Sequence, residues 1–216
     1  MLLAASVPAQ AGELVLEAGT GAGAALLCLA ARVPDIGGAG VERDPALAKL
    51  ARENLAANGF SGIAILEEDI EELECGKEFA HAFANPPWHD AAGTPPAHPA
   101  RVSAKRGGER LGAWTAALAR RIAPRGTLTL ILPTARLVDA LAAAAVGGCG
   151  SLALFPLWPR LGHPAKLVLV RAIRGGRAPF ALLPGLVLHQ PNGRFTAEAE
   201  AVLRGGAALD LSCRFP

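Results

Sequence analysis

No apolar run in this sequence is long enough to cross a bilayer. The longest strongly apolar stretch, Ala22 to Ala31, is about half the roughly 20 residues a spanning helix needs. A basic leader is missing too: the opening Met1-Leu2-Leu3-Ala4-Ala5-Ser6-Val7-Pro8 carries no Lys or Arg and is too short for a secretory signal, so a cytoplasmic protein is expected. Cys28, Cys75, Cys149 and Cys213 show no C-x-x-C spacing, which argues against a zinc knuckle or a disulfide framework and leaves buried apolar thiols. His81, His89, His98, His163 and His189 lie at no metal-ligand spacing and have no Ser or Cys partner in a triad pattern. Structural or surface roles are expected for them, and no metal. Acid is scarce in the second half: residues 99–216 hold 16 Lys/Arg against 5 Asp/Glu, whereas residues 1–98 hold 5 against 14.

That division, −9 followed by +11, conceals itself in a net charge of only +2. Clustered Lys and Arg gain from releasing the counterions condensed on phosphates, so a polyanionic partner is expected on one side, unless segregation along the chain does not become segregation in space. The densest part, Arg101 to Arg125, has seven Lys/Arg and one acid, Glu109, and is expected to face the phosphates of such a partner.

What the chain has in plenty is apolar and small residues. With 216 residues, 51% of them hydrophobic, it can bury one continuous core. Short β-type runs alternate with helical ones. Strands are expected at Leu14–Leu16, Gly38–Glu42, Gly62–Leu66, Phe79–Ala84 and Thr127–Leu132, and helices at Ala22–Val33, Ala46–Asn58, Leu111–Ile122 and Ala135–Ala145. Asp44 stands as N-cap with Pro45 in the first turn, and Gly59 as the stop. Regular alternation with continuously apolar strands implies an α/β fold, a doubly wound and mostly parallel sheet of seven strands with helices on both faces. Leu152–Leu157 and Lys166–Ala172 are joined by too short a connection for a crossover helix and should end the sheet in an antiparallel hairpin. Residues 1–175 read as one domain. Residues 176–216, with short strands in Phe180–His189 and a helix at Thr196–Arg204, read as an extension packed on it. Residues 89–107, with Pro95, Pro96 and Pro99 and no apolar period, read as a mobile loop.

Glu17-Ala18-Gly19-Thr20-Gly21-Ala22-Gly23 falls where the first strand meets the first helix, the position at which a doubly wound sheet receives a nucleotide-like ligand. Glu42 ends the second strand, 19 residues after Gly23, where a carboxylate can take hydrogen bonds from both hydroxyls of a ribose. NAD and S-adenosylmethionine share that requirement. Two features favour the methyl donor. The glycine spacing is G-x-G-x-G rather than G-x-G-x-x-G, and Glu17 precedes the turn, where a carboxylate would repel a pyrophosphate but attract a sulfonium and an amino group. Asp69 follows the third strand and can bond the adenine amino group of the cofactor or N-cap a helix over Ile70–Leu73; both readings can hold together.

Asn85-Pro86-Pro87-Trp88 directly follows the fourth strand. An exocyclic amine of a base is a poor nucleophile because its lone pair is delocalised into the ring. Acceptance of its two N–H bonds by the Asn85 side-chain oxygen and the Pro86 carbonyl draws the nitrogen toward tetrahedral geometry, with two prolines stiffening the backbone. Trp88 is placed to stack on the target ring.

Together Glu17 to Gly23, Glu42, the helix end Arg52-Glu53-Asn54-Leu55-Ala56-Ala57-Asn58-Gly59 and Asn85 to Trp88 resemble the N6-adenine/N5-glutamine branch of class I methyltransferases. Ala113-Trp114, Pro156 to Arg160 with His163-Pro164-Ala165, and the tail from Leu188-His189 to Gly205-Gly206-Ala207 narrow the resemblance to the bacterial tRNA adenine-N6 methyltransferase family. It implies S-adenosylmethionine as cofactor, tRNA as partner, Asn85, Pro86, Pro87 and Trp88 as catalytic residues, and Glu17, Gly19, Gly21, Gly23, Glu42 and Asp69 as cofactor-binding ones. Members of that family carry an aromatic and an acid upstream of the Leu-Leu-Ala-Ala that begins here at Leu2; either their lack weakens closure over the cofactor or the gene start is misassigned. Three rivals remain at this point: a methyltransferase acting on protein glutamine N5 or rRNA guanine N2, an RNA-binding protein that keeps the fold without catalysis, and a nicotinamide dehydrogenase.

Overall fold

The computed structural model describes residues 1–74, 76, 78–86 and 107–212. Its centre is a sheet in the order β3-β2-β1-β4-β5-β7-β6-β8, with β9 pairing β6 beside β8. The strands are β1 (Leu14–Ala18), β2 (Gly37–Val41), β3 (Ile63–Leu66), β4 (Phe79–Ala84), β5 (Ile122–Pro133), β6 (Cys149–Trp158), β7 (Leu167–Arg174), β8 (Ala181–Leu182) and β9 (Leu186–Val187). β3, β2, β1, β4 and β5 run parallel, and β7 lies antiparallel between β5 and β6. The doubly wound sheet and its antiparallel hairpin are therefore as expected, with β8 and β9 adding two short parallel pairings to β6.

Alternation of side chains along the strands divides the core in two. Leu16, Ala82, Leu128, Leu130, Val168 and Val170 face α4 (Gly107–Arg120) and α5 (Leu137–Val146). Val15, Phe83, Phe155 and Leu169 face α1 (Leu2–Ser6), α2 (Ala24–Arg32), α3 (Pro45–Ala57) and α6 (Ala197–Leu203). Phe83, Leu16 and Leu130 are shut off from solvent, and each such side chain contributes about 1.5–3 kcal/mol relative to exposure.

The local signals act as their chemistry dictates. Asp44 Oδ1 accepts from the amides of Ala46 (2.9 Å) and Leu47 (3.2 Å), with Pro45 at the first helical position. Thr196 Oγ1 accepts from Ala199 N at 3.1 Å and opens α6. Differences arise where side-chain pattern and backbone demand diverge. α2 begins at Ala24 rather than Ala22, because the preceding residues are needed in the glycine turn and Gly23 serves as N-cap with φ 85°. Ile122 opens β5 instead of closing a helix; it is buried and pairs with Phe79. Asp69 caps a turn and no helix: its Oδ1 accepts from Glu71 N at 3.1 Å, and its carbonyl accepts from Glu72 N and Leu73 N. α1 has no capping side chain to announce it. Tertiary contacts hold it instead, with Arg32 donating to the carbonyls of Ala4 and Val7 and Arg171 to that of Ser6.

Glycine supplies most of β2, a composition that disfavours a strand. A Cβ on Gly40 would stand 2.7 Å from Leu26 Cδ1 and 2.9 Å from Ile65 Cδ1. Side chains from α2 and β3 occupy the space that a β-branched residue would take.

Candidate active site

The strand order reverses between β1 and β4, since β1 to β3 build one way and β4 to β5 the other. The crevice at the carboxyl ends of two such strands is where open α/β sheets bind ligands. The Gly19–Gly23 turn follows β1 and Asn85 follows β4, and in register Ala18 pairs with both Val41 and Ala84. The two motifs read from the sequence are thus adjacent although more than 60 residues apart.

The turn is built on β2. The amides of Gly19 (2.8 Å) and Thr20 (3.1 Å) donate to the Val41 carbonyl, and Gly21 N donates to Glu42 Oε2 at 2.9 Å. The other Glu42 oxygen accepts from Asp44 N at 2.9 Å. Each oxygen keeps a lone pair, so the carboxylate is rigid and still able to receive two hydroxyl donors. Gly21, at φ 56°, adopts the left-handed region, and a Cβ there would meet nothing within 4 Å, which leaves open space above the turn. Gly19 differs. A Cβ on it would lie 2.8 Å from Trp114 Cη2, so its bareness admits an indole from α4.

Glu17 is 4% exposed, and Thr20 Oγ1 donates to its Oε2 at 2.6 Å. Burial pushes the Glu17 carboxyl up to about 8; the Thr20 hydrogen bond opposes this and the neighbouring Glu42 charge adds to it. The group is largely protonated at neutral pH in the ligand-free chain. Asp69 lies beyond β3, and its Oδ2 pairs with Arg43 Nη1 at 3.7 Å, which brings it to the same end of the sheet as Glu42. Asn85 is exposed and Pro86 buried. Pro87 and Trp88 lie outside the described residues, as do residues 89–106, Cys75 and Cys213. Among the described residues no group of three or more His, Cys, Asp or Glu is placed to hold a metal.

Three supporting residues had no part in the sequence reading as ligands. Thr20 holds Glu17, Trp114 fills the space beside Gly19, and Asn54 Nδ2 donates to the Ala22 carbonyl at 2.9 Å, tying α3 to the turn. The last had a signal: Asn is a poor residue in the middle of a helix, where its amide competes with the backbone.

The basic stretch divides. Arg120 and Arg121 close α4 beside the start of β4, where Phe79 N donates to the Arg121 carbonyl at 2.9 Å. Phe79 stands about 17 Å of strand from Ala84, at about 3.3 Å per residue. Arg120, Arg121 and Arg125 therefore cannot flank Asn85, because a 14-residue helix carries the chain about 20 Å away. Arg101, Lys105 and Arg106 lie outside the described residues.

This sheet order, with a glycine turn after β1 and an acid after β2, is a Rossmann-like methyltransferase fold. The solved structure of a predicted O-methyltransferase from Agrobacterium tumefaciens superposes with a TM-score of 0.78 and 26% identity, over 96% of both chains. Residues 1–105 match the family model of the methyltransferase small domain. The tRNA1(Val) (adenine(37)-N6)-methyltransferase of Aeromonas hydrophila is 33% identical over 178 residues, which are 81% of this chain and 75% of that protein. The release factor glutamine methyltransferase of Escherichia coli is 37% identical over 76 residues, 35% of this chain and 27% of that one. The chain belongs to the methyltransferase family that includes the tRNA1(Val) (adenine(37)-N6)-methyltransferases.

Proposed function

We propose that this protein transfers a methyl group to the N6 amine of an adenine in tRNA. The observation that carries the reading is the juxtaposition of the Gly19–Gly23 turn with Asn85-Pro86 across β1 and β4. The Aeromonas relative, matched over three quarters of its length, supports the tRNA substrate.

The residues present suit S-adenosylmethionine. Glu42, with a lone pair spare on each fixed oxygen, would hold the ribose hydroxyls. Asp69 would take the adenine amine, and Gly21 leaves room above the turn. Glu17 would face the positive end of the ligand, whose charge draws the carboxyl back toward ionisation. When bound, the cofactor would supply an electrophilic methyl on its sulfonium for the amine nitrogen, whose surplus proton would pass to solvent. The Asn85 side-chain oxygen and the Pro86 carbonyl accept the two N–H bonds, orienting the amine lone pair toward the methyl. By residue type alone, Pro87 would stiffen the backbone after that carbonyl and Trp88 would offer a π face to the extruded base.

Glutamine N5 transfer is the second reading, favoured by the match to the Escherichia coli enzyme, because a side-chain amide presents the same two N–H bonds. The short extent of that match places it behind. Incubation with labelled S-adenosylmethionine and either tRNA or a glutamine-containing release-factor peptide separates them. Labelled N6-methyladenosine in nuclease digests is expected, and label in the peptide alone would overturn the adenine assignment. Calorimetry with S-adenosylmethionine and NAD tests the cofactor, and Glu42→Ala should lower the affinity for the former.

A further inference from the structure

At the opposite end of the sheet from Asn85, a cavity of about 530 Å³ opens between β5, β6, β7 and the 175–181 segment. Arg125, Arg171, Arg177, Thr127 and Ser151 supply its polar lining, and Leu152, Ala153 and Ala181 part of its apolar wall. From three guanidinium groups at one recess, one of them buried, we infer that this cavity is a second ligand site, taking a small solute that carries a phosphate monoester. The inference does not rest on the methyl-transfer reading.

Arg171 sits at the floor, 7% exposed, on the sheet face that also carries Leu169 and Phe155. It donates to the Ser6 carbonyl, while its Nε is buried with no hydrogen-bond partner, as is the hydroxyl of Thr129, its partner in the β5–β7 register. A buried cation with an unused donor is costly unless a counter-charge completes it. Asp210 is the carboxylate that favours its charge, and is itself engaged by the Ser212 amide and hydroxyl. Arg125 and Arg177 stand exposed at the rim. Among the described residues the recess thus holds three cations, with Asp210 beside Arg171 and Glu13 set behind Thr127 on His81.

The backbone here is irregular in a way that aims side chains. Arg125 (φ 68°) and Ser151 (φ 49°) are two of the three non-glycine residues with positive φ among those described, and both line the recess. The β6–β7 register also shifts between Gly150 and Ala153, around Ser151. Left-handed non-glycine residues and bulges carry a cost and gather where a side chain must be re-aimed. Ser151 Oγ accepts from Ala178 N at 2.9 Å, which leaves its own proton to give. Thr127 is already engaged: its Oγ1 shares a hydrogen bond with His81 Nδ1 at 2.8 Å, and His81 Nε2 meets Glu13 at 2.9 Å. The donors left are guanidinium groups and one hydroxyl, a set that matches phosphate oxygens.

The test uses the full chain and inorganic phosphate, titrated by calorimetry against chloride at matched ionic strength, then ribose 5-phosphate. Saturable phosphate binding is expected, with ribose 5-phosphate competing for it. The Arg125→Ala/Arg177→Ala pair, both exposed and so compatible with folding, should weaken it about tenfold or more. Ser151→Ala should weaken it less, and S-adenosylmethionine affinity should stay unchanged in both. A phosphate response no larger than that of chloride, or one indifferent to the double substitution, overturns the site. Displacement of bound phosphate by a tRNA transcript overturns the small-solute assignment and gives the recess to the RNA backbone.

Discussion

At the scale of single residues, Glu17 combines burial with a charge that the reaction would use. Its carboxyl titrates at about 8 in the folded chain against 4.5 ordinarily, so between those values the native state binds a proton that the unfolded chain has lost. Its contribution to stability is complete below pH 4.5 and is lost as pH rises through 8. Glu17→Gln, which cannot ionise, should remove that fall, and urea midpoints from pH 4.5 to 8.5 measure it; an unaltered pH profile would show that Glu17 does not titrate there. The same proton links to ligand binding, so affinity for S-adenosylmethionine should rise with pH toward 8 in the wild type and stay flat in the variant. Asn85 belongs to the acceptor half. Asn85→Ala should bind the methyl donor normally yet slow single-turnover transfer by about 100-fold, the size of effect seen when one preorganised hydrogen-bonding group is removed. A near-normal single-turnover rate would sink the mechanism proposed for it.

Among the elements, α3 is joined to the site through its two ends. Asp44 caps its start while giving its own amide to Glu42, and Asn54 near its end holds the Ala22 carbonyl. Capping and ligand binding are separable because Asp44→Ala deletes the capping carboxylate but keeps the amide. The substitution should cost about 1 kcal/mol of stability in urea titration while changing cofactor affinity little. A large loss of affinity at unchanged stability would mean that the Asp44 side chain itself reaches the ligand. Asn54→Leu probes the other tie. Here the helix should improve in propensity and the turn lose an anchor, so cofactor affinity should fall without a matching fall in stability.

For the whole molecule, the asymmetry of charge matters only as folding distributes it. The β6–β7 connection places Arg160, His163 and Lys166 exposed at the same end of the sheet as the glycine turn, tied there by Thr134, whose amide donates to the Lys166 carbonyl at 3.0 Å. Arg120 stands at the far end. Removing Arg160 and Lys166 together should weaken tRNA binding and reduce the slope of log affinity against log salt by about one to two, while Arg120→Ala leaves it unchanged. Equal effects from the two ends would mean that RNA approaches the far end of the sheet as well.

Legible without the fold is whatever acts over a few neighbouring residues. The strand and helix alternation, the Asp44 cap, and the two motifs that follow β1 and β4 were legible because hydrophobic period, capping chemistry and turn residues are local codes. Tertiary structure alone decided the rest. It turned a glycine-rich segment into a central strand by filling the missing side-chain space with Leu26 and Ile65, and it held α1 through Arg32 and Arg171, which lie far away in the chain. It also set Trp114 against Gly19, pushed the Glu17 carboxyl up by burying it, and placed Arg120 and Arg125 at the end of the sheet far from Asn85. Desolvation, close packing and the reach of a helix depend on which distant segments meet, and that is a property of the folded chain as a whole.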